Sequence, residues 1–252
     1  MVKWFLANGV KHKEGLVEAE VELFGSEQPE SDAADSGIKL GEAAFVCRWR
    51  LVDGVLPLKV RHLRALGHRS VAGVNISKQH VAWASQHIDW TLYEGAKQYP
   101  DGVLIVYVDE DLRMAMGVRA FEPLKRRSAN DLLLRAERSQ TEAYNTGVSP
   151  EDLWVIRDNI LWRSWVNPSK ESGVASLLKD LCRTLGTTTR LSETLLDESA
   201  KRGFSSRDEV FLASDEYGIV AAPDHSGPVA ARYVEYYDKL LESERKKASR
   251  YR

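Results

Sequence analysis

The first half of the chain alternates between apolar runs of strand length and segments with helical spacing. Residues 45–52, the dipeptide Asp53-Gly54 and residues 55–58 have the pattern of a strand, a type I′ turn and a return strand. Residues 59–70 then predict a helix. A second helix is predicted to begin after a Ser77 cap, because the apolar residues that follow recur on one helical face.

A continuous apolar run over residues 103–108 is typical of a central strand. The acidic residues that follow turn the chain, and residues 113–121 predict a returning strand that ends near Pro123. We expect a domain boundary there, with a small N-terminal α/β domain over residues 1–122 and a larger domain over residues 123–252. At the start of the chain the sequence predicts a strand over residues 1–7 and an acidic, Gly- and Pro-containing loop over residues 25–37.

The second half begins with a helix that Ser128 caps and that Gly147 ends. Residues 154–163 predict a tight hairpin around Asp158-Asn159. A helix with a strongly apolar face follows between Gly173 and Gly186. The remaining predicted elements are a helix from a Ser192 cap to Gly203, strands over residues 210–213 and 218–222, and a terminal helix that begins at Pro228.

The composition argues against several classes of protein. The 252 residues are 43% hydrophobic, which is enough for a sizeable core. A net charge of -2 argues against a nucleic-acid partner, because phosphate binding normally requires a basic excess. The first residues are apolar over too short a stretch for a signal sequence or a membrane span. Two cysteines give neither a disulfide framework nor metal-ligand spacing, so we expect a reducing cytoplasm and no metal.

Several segments then point to one superfamily. In the C-terminal half these are Ser172-Gly-Val-Ala-Ser-Leu-Leu-Lys-Asp-Leu-Cys-Arg-Thr-Leu-Gly186, Asp208-Glu-Val-Phe-Leu-Ala-Ser214 and Gly227-Pro-Val229, and in the N-terminal half Gly41-Glu-Ala-Ala-Phe45 and His62-Leu-Arg-Ala-Leu66. Their order and spacing resemble the class IV aminotransferases, a superfamily that includes branched-chain and D-amino-acid aminotransferases and aminodeoxychorismate lyase.

The resemblance implies a particular architecture and chemistry. It implies a two-domain α/β (α+β) fold of the D-amino-acid aminotransferase type, with a small N-terminal α/β domain and a larger pseudo-barrel domain. It also implies a homodimer and pyridoxal phosphate held in the cleft between the domains. The substrate class would be a small metabolite with a carboxylate, such as an amino acid, an oxo acid or a chorismate-like compound.

The family's cofactor residues match this chain poorly. Ala65 stands where the family's phosphate-binding arginine is expected, and Arg64 precedes it by one residue, which is about 100° around a helix. Lys125 is the lysine nearest to the position of the family's Schiff-base lysine. Arg163 stands near the position of the glutamate that would face the pyridine nitrogen. The chain therefore resembles a divergent member that lacks the usual anchors of the cofactor.

Two segments retain part of a binding site. The backbone of Gly173, Val174 and Ala175 can present N–H groups to an anion at a helix N-terminus. Ser214 follows a buried strand at the position of a family loop that contacts phosphate and substrate. The neighbouring Asp215 and Glu216 would repel a phosphate at close range.

Arg48 is the candidate for binding a substrate carboxylate, because a guanidinium pairs with a carboxylate through two hydrogen bonds. Its alternative place is a solvent-facing strand position. Cys47 is adjacent on the same strand and must point to the other face, where a buried, unreactive thiol is expected.

Three hypotheses follow from the sequence. The first is an enzyme on this scaffold that acts on a small carboxylate without pyridoxal phosphate. The second is a genuine pyridoxal-phosphate aminotransferase or lyase that uses Lys125. The third is a non-catalytic relative that binds a ligand or a partner chain.

Overall fold

The computed structural model describes residues 5–6 and 40–249. Within these residues the first sheet has four antiparallel strands in the order β1-β6-β5-β2. Their bounds are β1 Phe5–Leu6, β2 Ala43–Arg50, β5 Val103–Asp109 and β6 Met114–Arg119.

Two helices and a small hairpin accompany this sheet: α1 Lys59–Leu66, α2 Lys78–Gln98, and the strands β3 Ser70–Val71 and β4 Val74–Asn75. Alternate residues of β2, including Cys47 and Trp49, enter a core with Ile88 of α2 and Leu66 of α1. Because successive strand residues face opposite sides, Arg48 points away from this core.

The second sheet forms in the C-terminal half, in the order β11-β10-β7-β8-β9, with β8 and β9 parallel and the other pairs antiparallel. Its strands are β7 Glu151–Arg157, β8 Ile160–Ser164, β9 Thr189–Ser192, β10 Glu209–Ser214 and β11 Gly218–Ala221. The helices of this half are α3 Ala129–Thr146, α4 Gly173–Thr184, α5 Leu195–Arg202 and α6 Pro228–Ala248.

Helices cover both faces of the second sheet. On one face Trp154 and Phe211 pack with α4 and α6, and on the other Val155 and Leu212 pack with α3 and α5. This explains why residues 153–156 of β7 and residues 210–213 of β10 are continuous apolar runs.

Most of the predicted elements are present. Ser128 caps α3 by accepting the N–H of Asp131, and Gly147 ends the helix with a φ of 84°. The β7–β8 hairpin turns through Asp158 and Asn159, both with positive φ, as a type I′ turn requires. The predicted strand over residues 103–108 is β5, and it lies between two other strands.

Two local predictions were wrong. Residues 55–58 do not form a return strand, since after the turn Val55 makes one isolated bridge to Val52 and β2 pairs with β5 instead. Pro57 has no N–H to donate, and the chain turns directly into α1. Ser192 is not a helix cap, because it belongs to β9, and α5 begins after Thr194.

The two halves meet where α1 and β2 face α4 and the β10–β11 turn. Arg61 of α1 binds Asp180 of α4 at 2.8 Å, and the Arg50 N–H donates to the Asp215 carbonyl at 3.1 Å. The division into domains at residue 122 stays a prediction. The predicted acidic loop over residues 25–37 lies outside the described residues.

Candidate functional site

A cavity of about 150 Å³ lies between β2, α3 and the turn after β10. Three arginines line it, Arg48 from β2 and Arg135 and Arg138 from α3. Arg135 and Arg138 are three residues apart, so one face of the helix presents both to the cavity. The site therefore combines a strand of the first sheet with a helix of the second half.

The carboxylates at the cavity wall already have cationic partners. Glu151 binds Arg135 at 2.7 Å, and Glu216 binds Arg119 at 2.7 Å. Glu142 binds the buried Arg69 at 2.6 Å. The acidic groups of the cavity are therefore largely neutralised by the protein itself.

Arg138 differs from these paired groups. It is exposed at the cavity mouth and has no hydrogen-bond or ion-pair partner within residues 40–249. A guanidinium in this state can bind the carboxylate of a ligand without breaking an existing pair. Arg48 is partly buried on the opposite wall, as the alternation along β2 requires.

Ser214 lines the same cavity, and its hydroxyl connects β7 to the β10–β11 turn. Its hydroxyl donates to Glu151 Oε1 at 2.8 Å and accepts the N–H groups of Glu216 and Tyr217 at 3.3 and 3.1 Å. Because these contacts occupy the hydroxyl, Ser214 fixes the β10–β11 turn. Its role in binding a cofactor stays a prediction.

Burial raises the pKa of two neighbouring side chains in this turn, Glu216 and Tyr217. Burial raises the pKa of Glu216, although the charges of Arg119 and Arg48 oppose the shift. Burial and the charge of Glu216 raise the pKa of Tyr217 to about 12. A carboxyl group with a raised pKa at the wall of a cavity is a candidate for carrying a proton.

A second, more open cavity of about 340 Å³ adjoins the first and shares Arg135 and Arg138 with it. Lys125 lines this outer cavity and is exposed. Glu122, Arg126 and Asp131 also contribute charge, and Arg126 is paired with Asp131 at 2.8 Å. Lys125 and Arg48 thus lie in adjacent cavities and do not share one.

The N-terminus of α4 is occupied by a carboxylate of the chain. Val174 donates its N–H to Asp215 Oδ1 at 2.8 Å, and Gly173 donates to Oδ2 at 3.3 Å. The N–H of Ala175 donates to the Ser172 hydroxyl at 3.3 Å. All three backbone donors proposed from the sequence therefore have partners.

Asp215 is buried in this arrangement. Burial alone would raise its pKa, but the interaction with His62 and the N–H groups of Val174 and Gly173 outweigh burial and lower it. Asp215 is therefore a fixed negative charge at the helix end over the physiological pH range.

Cys47 lies on the other side of β2 from the cavity. It is 4% exposed, and burial raises its pKa to about 11. The thiolate form is therefore scarce at neutral pH, as expected for an unreactive core cysteine.

Several site residues had only weak signals in the sequence. Arg135 and Arg138 could have been found from their helical spacing on the polar face of the predicted helix. Asp215 was visible as a charge after the predicted strand over residues 210–213, but nothing in the sequence showed that it fills the N-terminus of α4. Arg69 lay inside the helix predicted over residues 59–70, whereas α1 ends at Leu66, and nothing in the sequence showed that Arg69 is buried in an ion pair.

Within the described ranges, no helix is long and apolar enough to cross a membrane. In the same residues, no group of three or more His, Cys, Asp or Glu side chains could hold a metal ion.

Comparisons with known proteins show the fold. No family model matches the chain, and no curated protein matches it. Among solved structures, a fold IV-transaminase from Curtobacterium pusillum is 11% identical, with 80% of this chain and 85% of that chain covered and a TM-score of 0.52. A Legionella pneumophila protein provisionally assigned as 4-amino-4-deoxychorismate lyase is 13% identical, with 78% and 90% covered and a TM-score of 0.51.

The fold type follows from these matches together with the elements described above. The chain has the mixed helix and strand architecture of the fold-type IV transaminases and lyases. At 11 to 13% identity the likeness shows the fold alone, so the activity has to be argued from this chain's own residues.

The residues present do not fit the phosphate of pyridoxal phosphate at the α4 N-terminus. The donors there already bind Asp215, whose charge would repel a phosphate. Arg64 is exposed on α1 and lines neither cavity, and Arg163 is buried in an ion pair with Asp152 at 2.8 Å. Cofactor roles for Gly173, Val174, Ala175, Arg64 and Lys125 stay predictions.

Proposed function

We propose that the protein is an enzyme that uses the fold-type IV scaffold to act on a small carboxylate-bearing metabolite, without pyridoxal phosphate. The observation that carries this proposal is the arginine-lined cavity, in which Arg138 has no partner among the described residues. Hydrogen bonds between ions contribute more than neutral ones, and a guanidinium matches a carboxylate in shape. Arg48 on the opposite wall would orient the ligand.

Glu216 is the residue we propose as the proton carrier. It lies at the cavity wall beside Arg48, and burial raises its pKa. At neutral pH, a carboxyl group with a raised pKa exchanges a proton with a bound ligand more readily than a carboxyl group with an ordinary pKa. The proposed reaction class is therefore proton transfer near a bound carboxylate.

Ligand binding can be tested directly. Thermal shift followed by calorimetry with a panel of amino acids, oxo acids and cyclic carboxylates should find a ligand that stabilises the protein. Arg138→Gln should weaken that ligand by about 10- to 100-fold, as expected for loss of one charged hydrogen-bonding partner. The matched control is Arg64→Gln, an exposed arginine outside both cavities, which should leave affinity unchanged.

Three other results would favour the alternatives. A visible absorbance band on addition of pyridoxal phosphate, abolished by Lys125→Ala, would support a cofactor-dependent enzyme. Binding without any product, in wild type as well as in Glu216→Gln, would support a non-catalytic ligand-binding protein. Equal affinity of the Arg138→Gln and Arg64→Gln variants would show that the carboxylate binds elsewhere. The resemblance also leads us to propose a homodimer, which light scattering would test.

A further inference from the structure

The N-terminus of α4 is built around an anion that the chain supplies itself. Helix N-termini concentrate partial positive charge and unpaired N–H groups, and they bind carboxylates and phosphates. Here Oδ1 of Asp215 accepts the Val174 N–H from a position 41 residues along the chain. Ser172 already fills the ordinary capping position, because its hydroxyl accepts the Ala175 N–H. Asp215 is thus an additional anion that reaches the helix from another element.

A second polar side chain, that of His62, lies beside the carboxylate of Asp215. His62 of α1 is 2% exposed, and its Nδ1 makes no hydrogen bond within the described chain. Nδ1 lies 3.4 Å from Oδ2 of Asp215, and the imidazole ring stacks on Trp49. The ring also covers the first residue of α4, since a Cβ on Gly173 would collide with it. The anion is therefore enclosed between helix N–H groups and an imidazole.

Two other helix N-termini provide a comparison. Asp224 accepts the Ala129 N–H of α3 at 2.9 Å, and Glu209 accepts the Ala230 N–H of α6 at 2.7 Å. Asp224 is exposed and Glu209 is partly exposed, and within residues 40–249 neither carboxylate makes a hydrogen bond or ion pair with a histidine. Asp215 differs because it is buried and because His62 faces it.

The main chain of Asp215 connects further elements. Its carbonyl accepts the Arg50 N–H at the end of β2, and its own N–H donates to the Pro150 carbonyl at 3.3 Å. Asp215 therefore contacts α1 and α4 through its side chain and β2 and the start of β7 through its main chain. An anion at this point stabilises the junction between the two halves.

We propose that Asp215 is a built-in replacement for a bound oxyanion: its carboxylate joins α1 and α4 as a phosphate would, and its removal leaves a binding site for phosphate. The site would consist of the Gly173 and Val174 N–H groups and the His62 imidazole. The proposal rests on the geometry at the α4 N-terminus, and because Asp215 also lines the arginine-lined cavity, the phosphate test is made in the Arg138→Gln background.

Inorganic phosphate is the probe that tests this proposal. Asp215→Ala should have a lower Tm than wild type in chloride, and phosphate at the same ionic strength should raise it with saturation. At ten times its Kd, phosphate should raise the Tm of the variant by about 3 to 6 °C beyond the change in wild type. Glu209→Ala is the matched control, since it also removes a carboxylate from a helix N-terminus, and it should respond as wild type does.

Several outcomes would overturn the proposal. An equal phosphate response in all three proteins would mean general salt stabilisation. No saturable response in a folded Asp215→Ala protein would mean that the carboxylate has a local structural role alone. Saturable phosphate binding to a protein that keeps Asp215 but carries Arg138→Gln would show that Asp215 does not fill the site. If Asp215→Ala fails to fold, Asp215→Ser retains an acceptor for the Val174 N–H and takes its place under the same criteria.

Discussion

The N–H of Val174 donates a 2.8 Å hydrogen bond to the carboxylate of Asp215 across the interface between α4 and the β10–β11 turn. This contact determines which group binds the N–H groups at the N-terminus of α4. It places a permanent negative charge at the helix end, and it leaves the arginine-lined cavity beside α3 as the region suited to an anionic ligand. Asp215 also lines that cavity, so the proposed carboxylate binding is tested at Arg138 and the proposed phosphate exclusion at Asp215.

Gly173→Ala should destabilise the protein because a Cβ at this position collides with the His62 ring. Overpacking in a tightly packed region costs about 1–3 kcal/mol. Gly67→Ala is the control, because Gly67 has a helical φ of −67° and an added Cβ would meet one methyl group of Val81 at 3.2 Å. Its stability should stay within about 1 kcal/mol of wild type. Urea unfolding of both variants measures this, and an equal loss of stability would contradict the close packing of His62 on α4.

Asp215 and Glu216 should give opposite pH dependences of stability. The pKa of Asp215 is lowered in the folded protein, so its contribution is present above the ordinary value of 3.8 and is lost as the pH falls below it. The pKa of Glu216 is raised, so its contribution is full below the ordinary value of 4.5 and is lost as the pH rises from there.

These opposite pH dependences can be tested by measuring the free energy of unfolding between pH 3 and pH 7. The proteins to compare are wild type, Asp215→Asn and Glu216→Gln. The stability difference between wild type and Asp215→Asn should shrink toward acid pH. Wild type and Glu216→Gln should be most alike at acid pH, because the amide resembles the protonated acid, and wild type should lose stability relative to this variant as the pH rises. Slopes of the same sign for both variants would show that the two carboxylates share one environment.

Arg163→Met should cost about 3–5 kcal/mol, because it leaves the buried Asp152 without its ionic partner. Adding Asp152→Leu should recover most of this loss, since an apolar pair requires no compensation of charge. Arg126→Met breaks the exposed pair with Asp131 and should cost less than about 1 kcal/mol. Chemical denaturation gives all three values, and a double variant that is no more stable than Arg163→Met would contradict this account.

Neither cysteine should react with a thiol reagent in the folded protein at pH 8. Burial raises the pKa of Cys47 to about 11, and Cys182 is 3% exposed in the core beside α6. Both thiols should be titrated after unfolding in guanidinium chloride. Rapid labelling of Cys47 in the native protein would show that β2 opens readily or that this cysteine is accessible.

Local sequence patterns were sufficient for elements whose structure depends on neighbouring residues. The cap at Ser128, the turn at Asp158 and Asn159 and the helix that begins at Gly173 all obey short-range rules of hydrogen bonding and backbone conformation. Residues 55–58 were wrongly predicted as a strand, because β2 forms its longer ladder with β5 and not with them. The pairing of β2 is decided by tertiary packing and not by the turn.

By itself, the sequence determined the order of helices and strands, the apolar face of α4, the opposite orientations of Cys47 and Arg48, and a resemblance that the structural comparisons support at the level of fold. The tertiary structure alone decided that Asp215 fills the α4 N-terminus and that Arg138 and Arg48 line one cavity. These relationships join residues that are tens of positions apart in the chain. Their distances and burial depend on how the sheets and helices pack, which local periodicity does not encode.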